Sequence, residues 1–277
     1  LTKAPFFLVK EDIEWVENTK KAMTLEEKIG QLFVPIGYSG DADYLEHVML
    51  SHHIGGIMYR CGEAKEMQRT HRYLQEHSKI PLLVGANLED GGCGIATDGT
   101  QYGKQMQIAA TGDTEDAYRL GKVSCSEGAA VGCNWAFAPV VDIDRNWRNP
   151  ITNVRTYGDD PDRVLACGVN YIKAAKEENV LVAIKHFPGD GCDEVDQHIL
   201  TSLLRKLSNT LSFEGKSPII SSSTFFVFRG LSGKIFCVSL TSVTAALALS
   251  FAHVTCSSER ITRSASSVGT ISLFAFL

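Results

Sequence analysis

The sequence is short of positive charge. Lysine and arginine number 27 against 32 aspartate and glutamate, for a net charge of −5 and an isoelectric point near 5.9. That balance offers no broad basic surface to a phosphate backbone, so nucleic acid is excluded as the expected partner. A CxxC pair is also lacking. The eight cysteines (Cys61, Cys93, Cys125, Cys133, Cys167, Cys192, Cys237, Cys256) follow no regular spacing. In a chain too large to need covalent staples, buried thiols in a reducing cytosol are the expectation. No export signal is visible: the apolar run Pro5-Phe6-Phe7-Leu8-Val9 is too short for a signal core and lacks a basic flank and a cleavage site. A cytoplasmic location with no membrane attachment is therefore expected. The last shortage is local: after Asp196 there is no aspartate at all, and the only later acids are Glu214 and Glu259.

With 277 residues, the chain can bury the core of one large α/β barrel or of two smaller domains. Thr24 stands three residues before Glu27 at the head of an apolar-periodic segment and predicts a capping box. Strand-length apolar runs recur at 31–36, 54–59, 81–86, 135–143 and 180–184, and helical patterns lie between them at 63–77, 114–131 and 161–178. This alternation implies parallel strands with right-handed crossovers, as in a barrel or a doubly wound sheet. Polar residues favour the barrel. Arg60, Asn87 with Glu89, Asp142 with Asp144, and Lys185 with His186 fall at or just past successive strand ends, which in a barrel share one face. Taken singly, such residues are more often turn formers or helix caps than catalysts. His47, His52, His53, His71 and His77 have no carboxylate at metal-ligand spacing and read as surface or core histidines.

The segment from Lys185 to His198 begins at a strand end and continues as a loop rich in glycine and acids. Lys185 and His186 can donate hydrogen bonds to sugar hydroxyls, while Gly189 and Gly191 let the backbone turn. Asp196 and His198 lie two residues apart in extended chain, so both side chains can point to one side. A carboxylate beside an imidazole orients it and raises its proton affinity, which suits general acid and base work near neutral pH. Two alternatives stay open on spacing alone: a metal site drawn from His186, Asp193, Asp196 and His198, or a solvated acidic loop.

Lys185-His186-Phe187-Pro188-Gly189-Asp190-Gly191, followed by Asp196-Gln197-His198, resembles the signature of family 3 glycoside hydrolases, in the branch with bacterial β-N-acetylglucosaminidases. Phe137-Ala138-Pro139-Val140-Val141-Asp142-Ile143 matches in the same order. So does Asn149-Pro150 leading to Arg155-Thr156-Tyr157-Gly158-Asp159-Asp160-Pro161, and Gly55-Gly56-Ile57 and the stretch 89–92 look like family landmarks. The resemblance covers residues 1–201 and implies a (β/α)8 TIM-barrel-like glycosidase domain. It implies that Asp196 and His198 are the acid/base dyad, and that Asn87, Arg155, Lys185 and His186 grip the terminal sugar. The dyad sets this branch apart from relatives acting on β-glucosides. The implied reaction is hydrolysis of terminal β-linked N-acetylglucosamine from cell-wall or chitin-type glycans, with retention and without a cofactor or metal. The sequence departs from the pattern at Asp190, where histidine is common, and at Asn87, where many relatives carry aspartate.

Retention also needs a carboxylate nucleophile, which the family places on an aspartate downstream of the dyad loop, and no aspartate is found there. Composition changes at the same point. Lysine and arginine number 20 against 30 acids through His198, and 7 against 2 from Ile199 onward, so the net charge passes from −10 to +5. Residues 202–277 are read as an anomalous tail, first as the product of a shifted reading frame, second as a divergent barrel end. A membrane segment at 235–254, a stretch without charged residues, is the third reading and is disfavoured by its many serines and threonines. An incomplete barrel exposes sheet edges that favour aggregation. The competing functions are a catalytically silent sugar-binding remnant, a β-glucosidase of the same family, and a metal-dependent barrel hydrolase or lyase.

Overall fold

A computed structural model describes Thr2, residues 7–187, 189–196 and 198–199, and the backbone of 223–229 and 235–241. Helix α1 (Lys10–Ala22) opens the chain, with Glu11 and Asp12 in its first turn and Lys20 and Lys21 in its last, which complement the helix dipole. It buries no residue, and the sequence pattern did not predict it. Helix α2 (Leu25–Gly30) follows behind the expected capping box. Glu27 N–H donates to Thr24 Oγ1 at 3.2 Å, and Thr24 N–H donates to Glu27 Oε2 at 2.8 Å.

Five parallel strands then pair in strict sequence order: β1 (Ile36–Gly37), β2 (Gly56–Tyr59), β3 (Leu83–Ala86), β4 (Trp135–Ala136) and β5 (Leu181–Val182). A doubly wound sheet reverses its strand order partway, whereas a barrel does not. The described sheet is therefore a five-strand arc of a TIM-barrel-like fold. A one-turn helix α3 (Ala42–Tyr44), continued by tighter and wider turns to His52, connects β1 to β2. Helix α4 (Ala64–His77) connects β2 to β3, helices α5 (Gln105–Ala110) and α6 (Glu115–Ala130) connect β3 to β4, and α7 (Pro161–Glu177) connects β4 to β5.

The long helices agree with the sequence pattern to within a residue or two, and most of the strands are shorter than expected. Proline accounts for much of the difference, because it has no N–H to place in a ladder. Pro35 interrupts the run expected at 31–36, so β1 starts at Ile36, and Gln31 instead caps α2 and ties its amide to the His53 and Ile54 carbonyls. Pro139 interrupts the run expected at 135–143. Ala136 pairs with Val182, but beyond the proline Val140 pairs with Lys185, so the β4 side uses one residue more than the β5 side over the same span. The one-residue difference is a β-bulge at the end of the sheet where the site lies.

The core lies between the strands and α4, α6 and α7. Ile57, Val84, Ala86, Ala136, Leu74, Leu120, Cys125, Val164 and Tyr171 are all buried in it. Cys61, Cys93, Cys125, Cys133 and Cys167 are free thiols, as expected, although only the last three are buried. His71 is a core histidine whose ring Nδ1 meets the Val131 carbonyl at 2.7 Å; His47, His52, His53 and His77 are at the surface.

Farther along, β6 (Ser223–Arg229) and β7 (Ile235–Thr241) form a two-stranded antiparallel sheet with Ser223 opposite Thr241. Of the stretch considered as a membrane segment, 235–241 is strand, and 242–254 lies outside the described residues. No helix among the described residues is long and apolar enough to cross a membrane. Glu214 and Glu259 also lie outside the described residues.

Candidate active site

The segment after β3 is pinned before it reaches the site. The Tyr171 hydroxyl, from α7, donates to the Leu88 carbonyl at 2.5 Å, and Gln105 Nε2 donates to the Glu89 carbonyl at 2.7 Å. Asn87 and Glu89 are held on either side of the buried Leu88.

The segments after β4 and β5 are joined by Asp142, whose side chain is fully buried. Its carboxylate accepts from His186 Nδ1 at 2.6 Å, from the His186 backbone N–H at 3.3 Å and from the Asp190 backbone N–H at 2.7 Å. One carboxylate thus closes the turn from His186 to Asp190. Gly189 holds φ +130° in that turn, a region that side chains rarely adopt, and a Cβ on Gly191 would lie 1.8 Å from the Ile143 carbonyl oxygen. Both glycines of the sequence motif are therefore required by the backbone path. Burial works against the charged form of Asp142, yet the His186 imidazole and the two backbone donors hold its carboxyl below the usual range. An ionised carboxylate only accepts, so His186 Nδ1 carries a hydrogen. His186 Nε2 lies 3.3 Å from Arg155 Nη2, a group that only donates, and so presents its lone pair.

Arg155 comes from the turn Asn153–Arg155, between β4 and α7. Asn149 sets that turn: its Oδ1 accepts from the Ile151 and Thr152 N–H groups, each at 2.8 Å, while its Nδ2 donates to the Asp190 carbonyl. Arg155 then grips Glu89, with Nε to Oε2 at 2.8 Å and Nη2 to Oε1 at 2.9 Å. Lys185 Nζ meets the same carboxylate at 2.5 Å and donates to Asn87 Oδ1 at 3.0 Å. Burial alone would lift the Glu89 carboxyl, but the Arg155 guanidinium and the Lys185 ammonium outweigh it and hold it at about 2. Burial pushes the Lys185 ammonium below the usual lysine range against the pull of Glu89.

Asn87, Arg155, Lys185 and His186, singled out in the sequence, thus meet in one hydrogen-bonded cluster at the C-terminal ends of β3 to β5. Arg60, at the end of β2, is exposed. Asp196 and His198 form a separate pair, with Nδ1 to Oδ1 at 2.7 Å and the His198 N–H to the same oxygen at 2.8 Å. The histidine side chain is 62 % exposed, and no hydrogen bond or ion pair among the described residues joins the pair to the cluster. The His198 backbone N–H, with its ring, holds the Asp196 carboxyl below the usual range. Among the described residues no three His, Cys, Asp or Glu side chains are arranged to hold a metal ion.

Sequence reasoning placed Glu89 and Asp142 at strand ends without giving them a role, yet they are the two anions about which the cluster is built. Asn149 was visible only as part of a motif. Nothing in the spacing of Gln105 or Tyr171 points to the site.

The model of the glycosyl hydrolase family 3 N-terminal domain matches residues 24–214. A protein of Cellulomonas fimi named β-N-acetylglucosaminidase/β-glucosidase is 45% identical over 214 residues, which are 77% of this chain and 37% of that protein. A solved structure titled β-glucoside phosphorylase BglX is 46% identical with a TM-score of 0.67, covering 72% of this chain and 35% of the other. A family 3 β-N-acetylglucosaminidase structure from Paenibacillus sp. str. FPU-7 is 30% identical with a TM-score of 0.58, covering 64% and 35%. The chain spans little more than a third of the length of these relatives. The two glycoside classes that the dyad was expected to separate stand together in the name of the Cellulomonas relative.

Proposed function

This chain belongs to glycosyl hydrolase family 3, and from that premise we propose that it carries the sugar-gripping and proton-transfer half of an exo-acting β-N-acetylglucosaminidase. Its substrates are cell-wall or chitin-type glycans, and its working compartment is the cytoplasm. Asn87, Arg155, Lys185 and His186 receive the hydroxyls of the terminal sugar, with Glu89 and Asp142 holding them in place. The observation that carries the reading is the Asp196–His198 hydrogen bond in the loop that leaves this cluster. With Nδ1 committed to Asp196, His198 presents Nε2; its protonated form gives a proton to the departing oxygen, and the neutral ring then takes one from the attacking water.

Retention requires a carboxylate that attacks the anomeric carbon, and no aspartate follows Asp196. The same absence favours a second reading, a chain that binds the sugar without turning it over. Residues 202–277 fall outside both readings; translating the coding DNA after codon 199 in its other frames tests the shifted-frame origin, which requires a charged strand-helix pattern with an aspartate at a strand end.

Similarity to a structure named a β-glucoside phosphorylase favours one further arm, with inorganic phosphate in place of water. An imidazole does not repel that anion as a second carboxylate would. The test is equilibrium binding of N-acetylglucosamine and glucose, followed by turnover of their chromogenic β-glycosides with and without phosphate. Preference for the N-acetylated sugar supports the reading. Faster turnover of the glucoside sinks the branch assignment, sugar 1-phosphate as product selects the phosphate arm, and loss of turnover in chelator returns the metal-dependent alternative.

A further inference from the structure

We infer that Trp147 is the platform of a second sugar subsite, which takes the ring on the leaving-group side of the scissile bond. The inference rests on the glycosidase reading above and names where the rest of the glycan lies.

Of the three tryptophans, Trp135 is buried, Trp15 lies on the outlying α1, and Trp147 is 78 % exposed on the loop that follows Asp142. The indole is left in water on a loop hydrogen-bonded to the Gly191 segment, and an exposed aromatic face of this kind suits the flat side of a ligand ring. The loop beneath it is firmly held. The Arg145 and Asn146 N–H groups donate to the Gly191 carbonyl at 2.9 and 3.0 Å, and Asn146 Nδ2 donates to the Cys192 carbonyl at 3.2 Å. Asn146 Oδ1 accepts from the Arg148 N–H at 3.1 Å, which tightens the turn around Trp147.

The indole also has a backing. The Arg148 guanidinium lies 4.9 Å from its ring centroid, and Arg148 Nη1 reaches Glu194 Oε1 at 3.4 Å, two residues before Asp196. Arg148 thus lies between Trp147 and the segment that delivers the dyad. If His198 protonates the glycosidic oxygen, as the glycosidase reading has it, that oxygen faces the dyad loop and the next ring lies on the side where Arg148 and Glu194 meet. A pyranose has an apolar C–H face that lies flat on an indole, while its edge hydroxyls can meet the Arg148–Glu194 pair. The ligand class is an uncharged β-linked disaccharide or longer oligosaccharide, held through two rings.

Calorimetric titration of the full chain with methyl β-N-acetylglucosaminide and with N,N′-diacetylchitobiose tests this, since a methyl group cannot stack. Trp147→Ala is expected to weaken the disaccharide about tenfold and to leave the methyl glycoside unchanged, with Trp147→Phe retaining most of the difference. Unchanged disaccharide affinity in Trp147→Ala, with methyl glycoside still bound, overturns the platform and leaves the glycosidase reading intact. Equal losses for both ligands also overturn it, because the residue then supports the loop as a whole. Failure of the wild-type chain to bind either sugar overturns both.

Discussion

Arg155 and Glu89 meet edge to edge through two hydrogen bonds, and Lys185 meets the same carboxylate at Oε1, the oxygen that also takes Arg155 Nη2. Two cations on one mostly buried anion is an arrangement that depends on the anion, since removing it leaves the cations facing each other with little water between them. Glu89→Gln is expected to lower stability by about 3–5 kcal/mol, the usual cost of breaking a buried pair from one side. Urea unfolding measures it, and a variant with the wild-type midpoint would show the cluster to be dispensable for folding.

The same carboxyl makes stability depend on acid. It is held at about 2 in the folded chain against an ordinary value of 4.5. Between those values the unfolded chain binds more protons than the folded one. The stability that Glu89 contributes is therefore complete above about pH 4.5 and is lost as pH falls toward 2. The slope of unfolding free energy against pH over this window should be shallower in Glu89→Gln. Equal slopes in the two proteins would mean that Glu89 is not ionised where it sits.

Asp142→Asn keeps the shape of the side chain but offers one acceptor where three donors now converge. The His186 ring should lose its fixed tautomer, and affinity for N-acetylglucosamine should drop about tenfold through loss of Arg155 alignment. Nitrogen-15 shifts of the imidazole read the tautomer directly. A variant that keeps both the wild-type shifts and the wild-type affinity would refute this positioning role.

The role proposed for His198 can be tested apart from that of the nucleophile, which no aspartate after Asp196 supplies in these 277 residues, by adding an external nucleophile. Azide or formate should release dinitrophenolate from an activated N-acetylglucosaminide by attack at the anomeric carbon. His198→Ala should leave that reaction nearly unchanged, because the leaving group needs no proton. With a poor leaving group the same variant should be slower by about 10²–10⁴-fold. Equal losses for good and poor leaving groups would remove His198 from proton transfer.

Much of the arrangement was legible in the sequence for identifiable reasons. Helices α4, α6 and α7 carry a clear apolar period, and Thr24 with Glu27 specifies a cap through local bonds alone. The residues of Lys185 to Gly191 are visible because a chain that turns as tightly as this one leaves few substitutes for Gly189 and Gly191. What stayed hidden depends on contacts across long stretches of chain. Glu89 and Arg155 are 66 residues apart and Asp142 and His186 are 44 apart, and no local pattern announces either pair. Helix α1 escaped notice because it buries nothing, so its sequence carries no apolar stripe of the usual width.

Asn149 gives these distant contacts a common reference. One end of its amide sets the turn that presents Arg155, and the other holds the Asp190 carbonyl in the loop that leads to Asp196. On the proposed function, recognition of the sugar and delivery of the proton would both be measured from this amide. A sugar seated against Arg155 would then have its outgoing oxygen placed by the same amide, so a change at Asn149 would disturb both ends of the proposed site at once.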